Sequence, residues 1–478
     1  MALQGRGGRL RKGRRFRGVI RGSDRTVDME TPSVGWLVGI VDDGKLADVE
    51  GAEIDLKQPL PAETLAHDDG VIAGIGMIGG AEAAVFAQEP TYKGGSMGLG
   101  HTKRLERLVS VAAERKLPII GFYDSGGVRV QEGGHSLEEA SALVGHLIKA
   151  REVVPVISAI MGTVSGAAAY SAYMGDAIVM IKGKSSLFVW GPGVAKAETQ
   201  QDIGAQQLGG WEVHRANGTA SHVVEDEKEC LEIVKRLLGY FGGRGTEASG
   251  RVRRLGQPPS LKVIDGTFDP GSFTEFRNGY APSVVTGLAL LEGKTFGVIA
   301  SNKEVMRGFL DVEACRKISG FASMCNTLRI PMVTFLDSPG VYPGAEQERA
   351  GLIRASGQAI KEYASDRCAK VTVITGEAYG GAFVGFASKA LGAKKVYAYP
   401  TAKISVLSLP AYSEIFLRKK LDALKEGERK AELDRESAAF MKQMDPSIGV
   451  SQGYVDEIIE PAQTRAKLIA AFRGAGVF

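Results

Sequence analysis

The segment PIIGFYDSGG, residues 118–127, returns 213 positions later as PMVTFLDSPG, residues 331–340. Both run from an apolar stretch into Asp-Ser and a glycine turn, the form of a buried parallel strand entering a helix. The surroundings return with them. Gly95 precedes Asp124 by 29 residues and Gly308 precedes Asp337 by 29. A second strand-turn-helix follows in each case, VPVISAIMGTVSGAAAYSA around Gly166 and KVTVITGEAYGGAFVGFAS around Gly381, at 42 and 44 residues from the aspartate. Two extra residues over such a span are readily absorbed in a surface loop.

Ahead of these elements lie GVIAGIGMIGGAEAAVFAQ in the first half and GLALLEGKTFGVIAS in the second, each predicted as two short strands around a glycine turn. A helix comes next, with Leu105, Leu108, Val109, Ala112 and Ala113 on one face at the i, i+3, i+4, i+7, i+8 spacing. Strands alternating with helices at this pitch imply βαβ crossovers, hence an internally duplicated α/β fold. Between the halves, FGGRGTEASGRVRRLGQPPS (241–260) has the composition of a linker. The expected division is a basic head at 1–30, an N-terminal domain at 31–240, the linker at 241–260 and a C-terminal domain at 261–478.

Composition narrows the function. The 478 residues include 63 glycines, about 13% against an ordinary ~7%, clustered as turns and close backbone approaches require. Residues 1–25 hold nine Lys/Arg and one acid, and the remainder 50 bases against 54 acids. The body therefore offers no basic face for nucleic acid, and the head reads as a solvated tail, with an organelle-targeting leader as the other reading. Four scattered cysteines and six histidines show no C-x-x-C or H-E-x-x-H spacing, so no metal site is expected. No apolar run is long enough to span a membrane, and a reducing compartment is expected.

Three motifs fail on context. Gly74, Gly76 and Gly79 match G-x-G-x-x-G, but a strand follows rather than a helix, and no acid lies ~20 residues beyond Gly74. Ser96 sits in G-x-S-x-G, yet the expected strand ends near Gln88, too early for a nucleophile elbow. Met441-Lys442-Gln443-Met444 has one residue too many for a biotin-attachment site and lies in a charged helical stretch.

The turns at Gly166 and at Gly380-Gly381 differ from these, because each joins a buried strand to an apolar small-residue helix. Such a turn aims consecutive N–H groups, backed by a helix N-terminus, at one point where an oxyanion could sit. Close helix–strand packing selects the same small residues, and the pattern alone leaves both readings standing.

With YDSGGVRVQEG (123–133), VISAIMG (156–162), LFVWGPGVAK (187–196), TFLDSPGVYPGAEQE (334–348), KVTVITGEAYGGAF (370–383) and GYVDEIIEPAQTR (453–465), the chain resembles the carboxyltransferase β subunits of biotin-dependent acyl-CoA carboxylases and the related transcarboxylases. The resemblance runs from about Asp69 to Pro461. It implies two tandem crotonase-like domains, an active site shared between the N-half of one subunit and the C-half of another, and a dimer or trimer of dimers. It further implies carboxybiotin on a separate carrier protein, a biotin carboxylase as partner, an acyl-CoA substrate and a cytoplasmic location, or the mitochondrial matrix if the head is a leader.

Carried onto this sequence, Gly166 and Ala167 would offer amides to the thioester oxygen, and Gly381 and Ala382 to the biotin carbonyl. Gly126, Gly127, Gly340, Gly380 and Val384 would line the ligands. A biotin-dependent acyl-CoA decarboxylase subunit and a non-catalytic scaffold are the alternatives. The chain departs from the family's pattern at Gly166-Ala167-Ala168, where relatives commonly have Gly-Gly-Ala, and at Ser408-Leu409-Pro410-Ala411, where A-E-G-A is usual. The customary N-terminal helices are largely replaced by the basic head and residues 26–68.

Overall fold

The computed structural model describes residues 26–27, 31–49, 51–58, 60–61, 69–242 and 259–478. The basic stretch at 1–25 and most of the Gly/Arg-rich linker lie outside the described residues. β1 (Thr26–Val27) and β4 (Leu60–Pro61) pair as a two-stranded antiparallel ladder separate from the first main sheet. That sheet contains β2 (Lys45–Ala47), β3 (Glu53–Asp55), β5 (Val71–Ile78), β6 (Ala81–Gln88), β7 (Ile119–Ser125), β8 (Val156–Ser165), β9 (Ala177–Ile181), β10 (Ser186–Phe188) and β11 (His222–Val224), with strand order β11-β9-β8-β7-β6-β5-β2-β3 and β10 beside β8.

The second sheet repeats the plan. Its strands are β12 (Thr274–Phe276), β13 (Val284–Leu291), β14 (Lys294–Ser301), β15 (Met332–Ser338), β16 (Lys370–Tyr379), β17 (Ala393–Ala398), β18 (Lys403–Ser405) and β19 (Glu457–Ile458), in the order β12-β13-β14-β15-β16-β17-β19 with β18 beside β16. In both sheets an antiparallel hairpin, β5–β6 or β13–β14, leads into parallel strands. The glycine-bearing turns predict the hairpins, and the first one removes the dinucleotide reading of Gly74, Gly76 and Gly79. Even the irregularities recur: the β7–β8 register shifts between Tyr123 and Ser125, and the β15–β16 register between Leu336 and Ser338.

Alternation along β7 explains the layers. Ile119 and Tyr123 face one apolar cluster with Leu105, Leu108, Val109 and Ala112 of the helix Leu99–Arg115, while Ile120 and Phe122 face the other. That second cluster continues through Val234 and Leu237 of the helix Glu227–Phe241 into Leu288, Ile299 and Ile318 of the C-terminal half. Burying one strand on both faces is what makes its sequence read as a continuous apolar run. Helices Glu227–Phe241 and Val312–Thr327 start where Asp226 and Asp311 accept the N–H groups of Glu229 and Ala314 at 2.8 and 2.7 Å, bonds worth ~1 kcal/mol each.

Candidate active site

The parallel strands of each sheet end in turns at the same edge. In the first half β8 gives way at Gly166, with φ 59° and ψ −135°, to the helix Ala167–Tyr173. A β-carbon is excluded from that conformation, so glycine is required there. The Gly166 N–H is donated to the carbonyls of Phe188 and Val189 at 3.2 and 3.1 Å. This corrects the expectation that Gly166 offers its own amide: the hydrogen is already committed to the β10 segment. Ala167 and Ala168, opening the helix, carry the first N–H groups without an acceptor inside it. Ala167 is half-buried and Ala168 buried.

In the second half β16 ends at Tyr379 and the helix Gly380–Phe386 begins at once. Gly380, Gly381 and Ala382 occupy its first three positions, whose N–H groups have no partner within the helix. Gly381 is half-buried, and the Ala382 methyl group is in the core. Val384, on the same helix, is 52% exposed.

The loop after β7 is tied back to the segment before the first long helix. Met97 donates to the Gly127 carbonyl at 2.8 Å and accepts from the Arg129 N–H at 2.9 Å. The parallel bridge between Met97 and Val128 leaves the Val128 N–H on the side away from Met97. Gly127 itself lies against the end of β8, since a β-carbon on it would come within 2.8 Å of the Ser165 carbonyl. The C-terminal half matches: Leu310 donates to Gly340 at 3.0 Å and accepts from Tyr342 at 2.9 Å, leaving Val341 to face β16. The Val341 side chain abuts Gly381, where a β-carbon would meet it at 2.7 Å. The loop thus meets the turn in both halves, Gly127 lying against Gly166 and the Val341 side chain against Gly381.

The duplicated Asp-Ser pair builds the support beneath. Ser125 Oγ donates to Gly95 O at 2.7 Å and accepts from Gly127 N–H at 3.2 Å, and Ser338 Oγ does the same with Gly308 O and Gly340 N–H at the same distances. Asp124 accepts from Thr163 N–H at 3.2 Å and Asp337 from Glu377 N–H at 2.8 Å. Each aspartate thus ties its strand to the neighbouring one just ahead of the turn. Burial raises the Asp124 carboxyl above its usual range, with the Thr163 N–H opposing.

Side chains around the two turns differ. In the first half Arg129 is buried in a network with Asp69 at 2.5 Å, Glu132 at 2.7 Å and Ser96 O at 2.7 Å. In the second, Lys303 bridges Asp337 at 2.9 Å and Glu377 at 3.7 Å. Tyr379 donates to Glu377 at 3.4 Å, and burial, seconded by that carboxylate, pushes its phenol up to about 12. Ser96 donates to Lys93 O at 2.8 Å and accepts from Arg129 at 3.2 Å, an environment without a general base. Met441 and Lys442 lie on the helix Glu426–Gln443.

Amides left free at a helix start can hold an oxygen that gains negative charge, and the comparisons with known proteins give the family. A carboxyl transferase domain model matches residues 56–475. The chain belongs to the carboxyl transferase family. It is 36% identical over 84% of its length to the propionyl-CoA carboxylase beta chain of Roseobacter denitrificans, covering 82% of that protein. It is 34% identical over 87% of its length to the methylmalonyl-CoA decarboxylase subunit alpha of Veillonella parvula, again covering 82% of the relative. Among solved structures, the hexameric transcarboxylase 12S with methylmalonyl-coenzyme A bound superposes with a TM-score of 0.81 at 30% identity, covering 94% of this chain and 90% of that one.

These matches bear out the duplicated crotonase-like fold and the acyl-CoA carboxyltransferase activity that the motifs implied. Among the described residues no helix is long and apolar enough to cross a membrane.

Proposed function

We propose that the carboxyltransferase holds the thioester oxygen of an acyl-CoA on the amides of Val128 and Ala167, and the ureido oxygen of a biotin on those of Val341 and Gly381. The observation that carries this is the recurrence in both halves of one turn with the same serine brace beneath it, with no nucleophile–base pair beside either among the described residues. Carboxybiotin, when bound, supplies both the CO₂ and the base that removes the substrate's α-proton. The chain's own part is to orient the two ligands and stabilise charge on their oxygens, where one lost donor costs about 10²–10³ in rate. The residues fit that role: each turn is half-buried, opens a helix whose first N–H groups have no partner within it, and has an aspartate beside it that ties neighbouring strands together.

The proposed biotin belongs to a separate carrier charged by a biotin carboxylase, and the chain itself carries none. The domains are taken as 31–240 and 261–478 joined by 241–260, and the compartment as the cytoplasm. The proposed assembly sets the N-terminal turn of one copy against the C-terminal turn of another. Equivalent apolar positions support it: Tyr170 and Val384, each four residues past the turn glycine, are 49% and 52% exposed, and Val189 and Val406, following β10 and β18, are 42% and 79% exposed.

Incubating the purified protein with a carboxylated carrier and propionyl-CoA or acetyl-CoA tests the reading, with the carboxylated acyl-CoA as product. The reverse assay, from methylmalonyl-CoA to free biotin, covers the decarboxylase direction. Absence of transfer both ways, or a covalent biotin signal on the chain after production in a biotin-competent host, would count against it.

A further inference from the structure

The duplication gives residues of the matched loops a counterpart 213 positions on, an offset that also relates β5 to β13 and β7 to β15. At the loop beside the turn the counterparts differ in kind. In the first half Arg129, 5% exposed, binds Asp69, Glu132 and Ser96 and ties the loop to the segment ahead of β5. Counting on by 213, the positions of Arg129, Asp69, Glu132 and Ser96 are held by Tyr342, Pro282, Ala345 and Phe309. Every member of the ionic cluster is replaced. In its place the rings of Phe309 and Tyr342 meet edge to face, with centroids 5.5 Å apart at 82°, an arrangement that aromatic quadrupoles favour.

The surroundings of the pair are otherwise alike. Glu132 accepts from the Leu99 N–H at 2.8 Å, and Gln347 accepts from the counterpart N–H of Val312 at 2.9 Å. Tyr342 N–H is donated to Leu310 O as Arg129 N–H is to Met97 O, both at 2.9 Å. Each loop also faces a left-handed turn, but Gly94, with φ 66°, is answered by Arg307, with φ 57°, a conformation that is costly for a residue with a β-carbon. From there the Arg307 guanidinium stands 6.0 Å over the Phe309 ring and 4.0 Å from the Glu377 carboxylate. A line of neighbours therefore runs from Arg307 through Phe309 and Tyr342 to Val341, whose side chain abuts Gly381 at the start of the helix Gly380–Phe386.

We propose that Tyr342 is a positioning residue for the second turn: its ring, held by Phe309, keeps the loop at 340–342 seated on Gly381, the task that Arg129 performs by ion pairing in the first half. Tyr342 needs no contact with a ligand to do this. Its consequence for the biotin ureido oxygen rests on the proposed function, whereas the bracing of the loop does not. The Tyr342 side chain is 38% exposed, so it can be truncated without opening the core. The ring, not the hydroxyl, carries the role.

The test reads these two levels separately in the full-length protein. Hydrogen exchange followed by mass spectrometry needs no substrate. Tyr342→Ala should speed exchange of the amides at positions 310 and 342, whose acceptors are Gly340 O and Leu310 O, by about tenfold, and Tyr342→Phe should not. Kinetics are then followed from methylmalonyl-CoA to free biotin. Tyr342→Ala should lower kcat/KM for biotin about tenfold and leave the KM for methylmalonyl-CoA within about twofold of wild type, while Tyr342→Phe should match wild type in both. Phe309→Ala, which removes the other ring, should reproduce the Tyr342→Ala pattern. Unchanged exchange in Tyr342→Ala overturns the brace. Faster exchange with wild-type biotin kinetics, a loss that falls equally on the KM values of both substrates, or the same loss in Tyr342→Phe overturns the positioning role. A wild type without transfer in either direction would count against the proposed function instead, and the exchange rates would still decide the brace.

Discussion

Gly162 lies directly beneath the carboxylate of Asp124, so close that a β-carbon on it would sit 2.1 Å from Oδ2; Gly376 stands the same way under Asp337, at 2.2 Å from Oδ1. Both glycines have ordinary backbone angles, so clearance rather than conformation selects them. Each aspartate uses that clearance to reach the backbone of the neighbouring strand just ahead of its turn. Gly162→Ala should therefore move Asp124, loosen the end of β8 and cost about 1–3 kcal/mol, with a larger relative loss in turnover than in folded protein. Denaturant unfolding and a transfer assay on the same preparation check this. Wild-type turnover in a destabilised Gly162→Ala would show that the brace serves folding alone.

The proposed amide donors can be removed one at a time. Proline is tolerated in the first turn of a helix, so Ala167→Pro and Gly381→Pro should fold and lose about 10²–10³ in rate. Ala167→Pro should act on the acyl-CoA side and Gly381→Pro on the biotin side. Circular dichroism reports folding, while saturation curves for each substrate report the side affected. Ser96→Ala should leave the rate within a few-fold of wild type, because its hydroxyl is spent on Lys93 O and Arg129. A dead Ser96→Ala beside an active Gly381→Pro would reverse the assignment.

The duplication was legible because it is written in positions both halves need: the Asp-Ser pair, the glycine 29 residues before it, and the small-residue helix start. The hairpins were legible in their turns, and so was the failure of the G-x-G-x-x-G match. The committed state of the Gly166 N–H was not, since it depends on where β10 carries the Phe188 and Val189 carbonyls. The proposed role of Val128 and Val341 was invisible for a related reason: an amide donor leaves no mark on side-chain identity. What could have pointed to them is the match of SGGV with SPGV, which keeps valine in both halves while the second glycine-turn residue changes from Gly126 to Pro339.

Exposed valines on a monomer's rim give the assembly a direct test. Val406, 79% exposed, and Val384, 52% exposed, would both be covered in the proposed pairing of an N-terminal with a C-terminal face. Val406→Asp with Val384→Asp should fold, since neither side chain is in the core, and should shift the protein toward smaller species by light scattering. Activity should fall in step with dissociation at low protein concentration and recover in part on concentrating. A double variant that keeps its size and its turnover would remove these two positions from the interface.

His222 sets the acid limit of the fold. It sits at the seam between the halves, 8% exposed, edge-on to Phe276 at 4.6 Å between ring centroids, and neither ring nitrogen has a hydrogen-bond partner among the described residues. Burial first, and then the charge of Arg236, lowers its pKa to about 3. The imidazole is held neutral in the folded protein and takes up its proton readily in the unfolded chain, whose ordinary histidine titrates near ~6.5. The unfolded state therefore binds more protons throughout the interval between these values. Stability is fully present above about pH 6.5 and declines as the pH falls toward 3, with a slope from this one group approaching ~1.4 kcal/mol per pH unit. His101, buried and lowered to about 4, adds to the slope over a similar range. Replacing His222 by Phe keeps an aromatic ring against Phe276 and removes both orphaned nitrogens, so it should stabilise the protein at pH 5 relative to pH 7.5 and flatten the pH dependence by about one proton. Urea unfolding of wild type and His222→Phe at several pH values measures that difference, and parallel curves for the two proteins would place the acid sensitivity elsewhere.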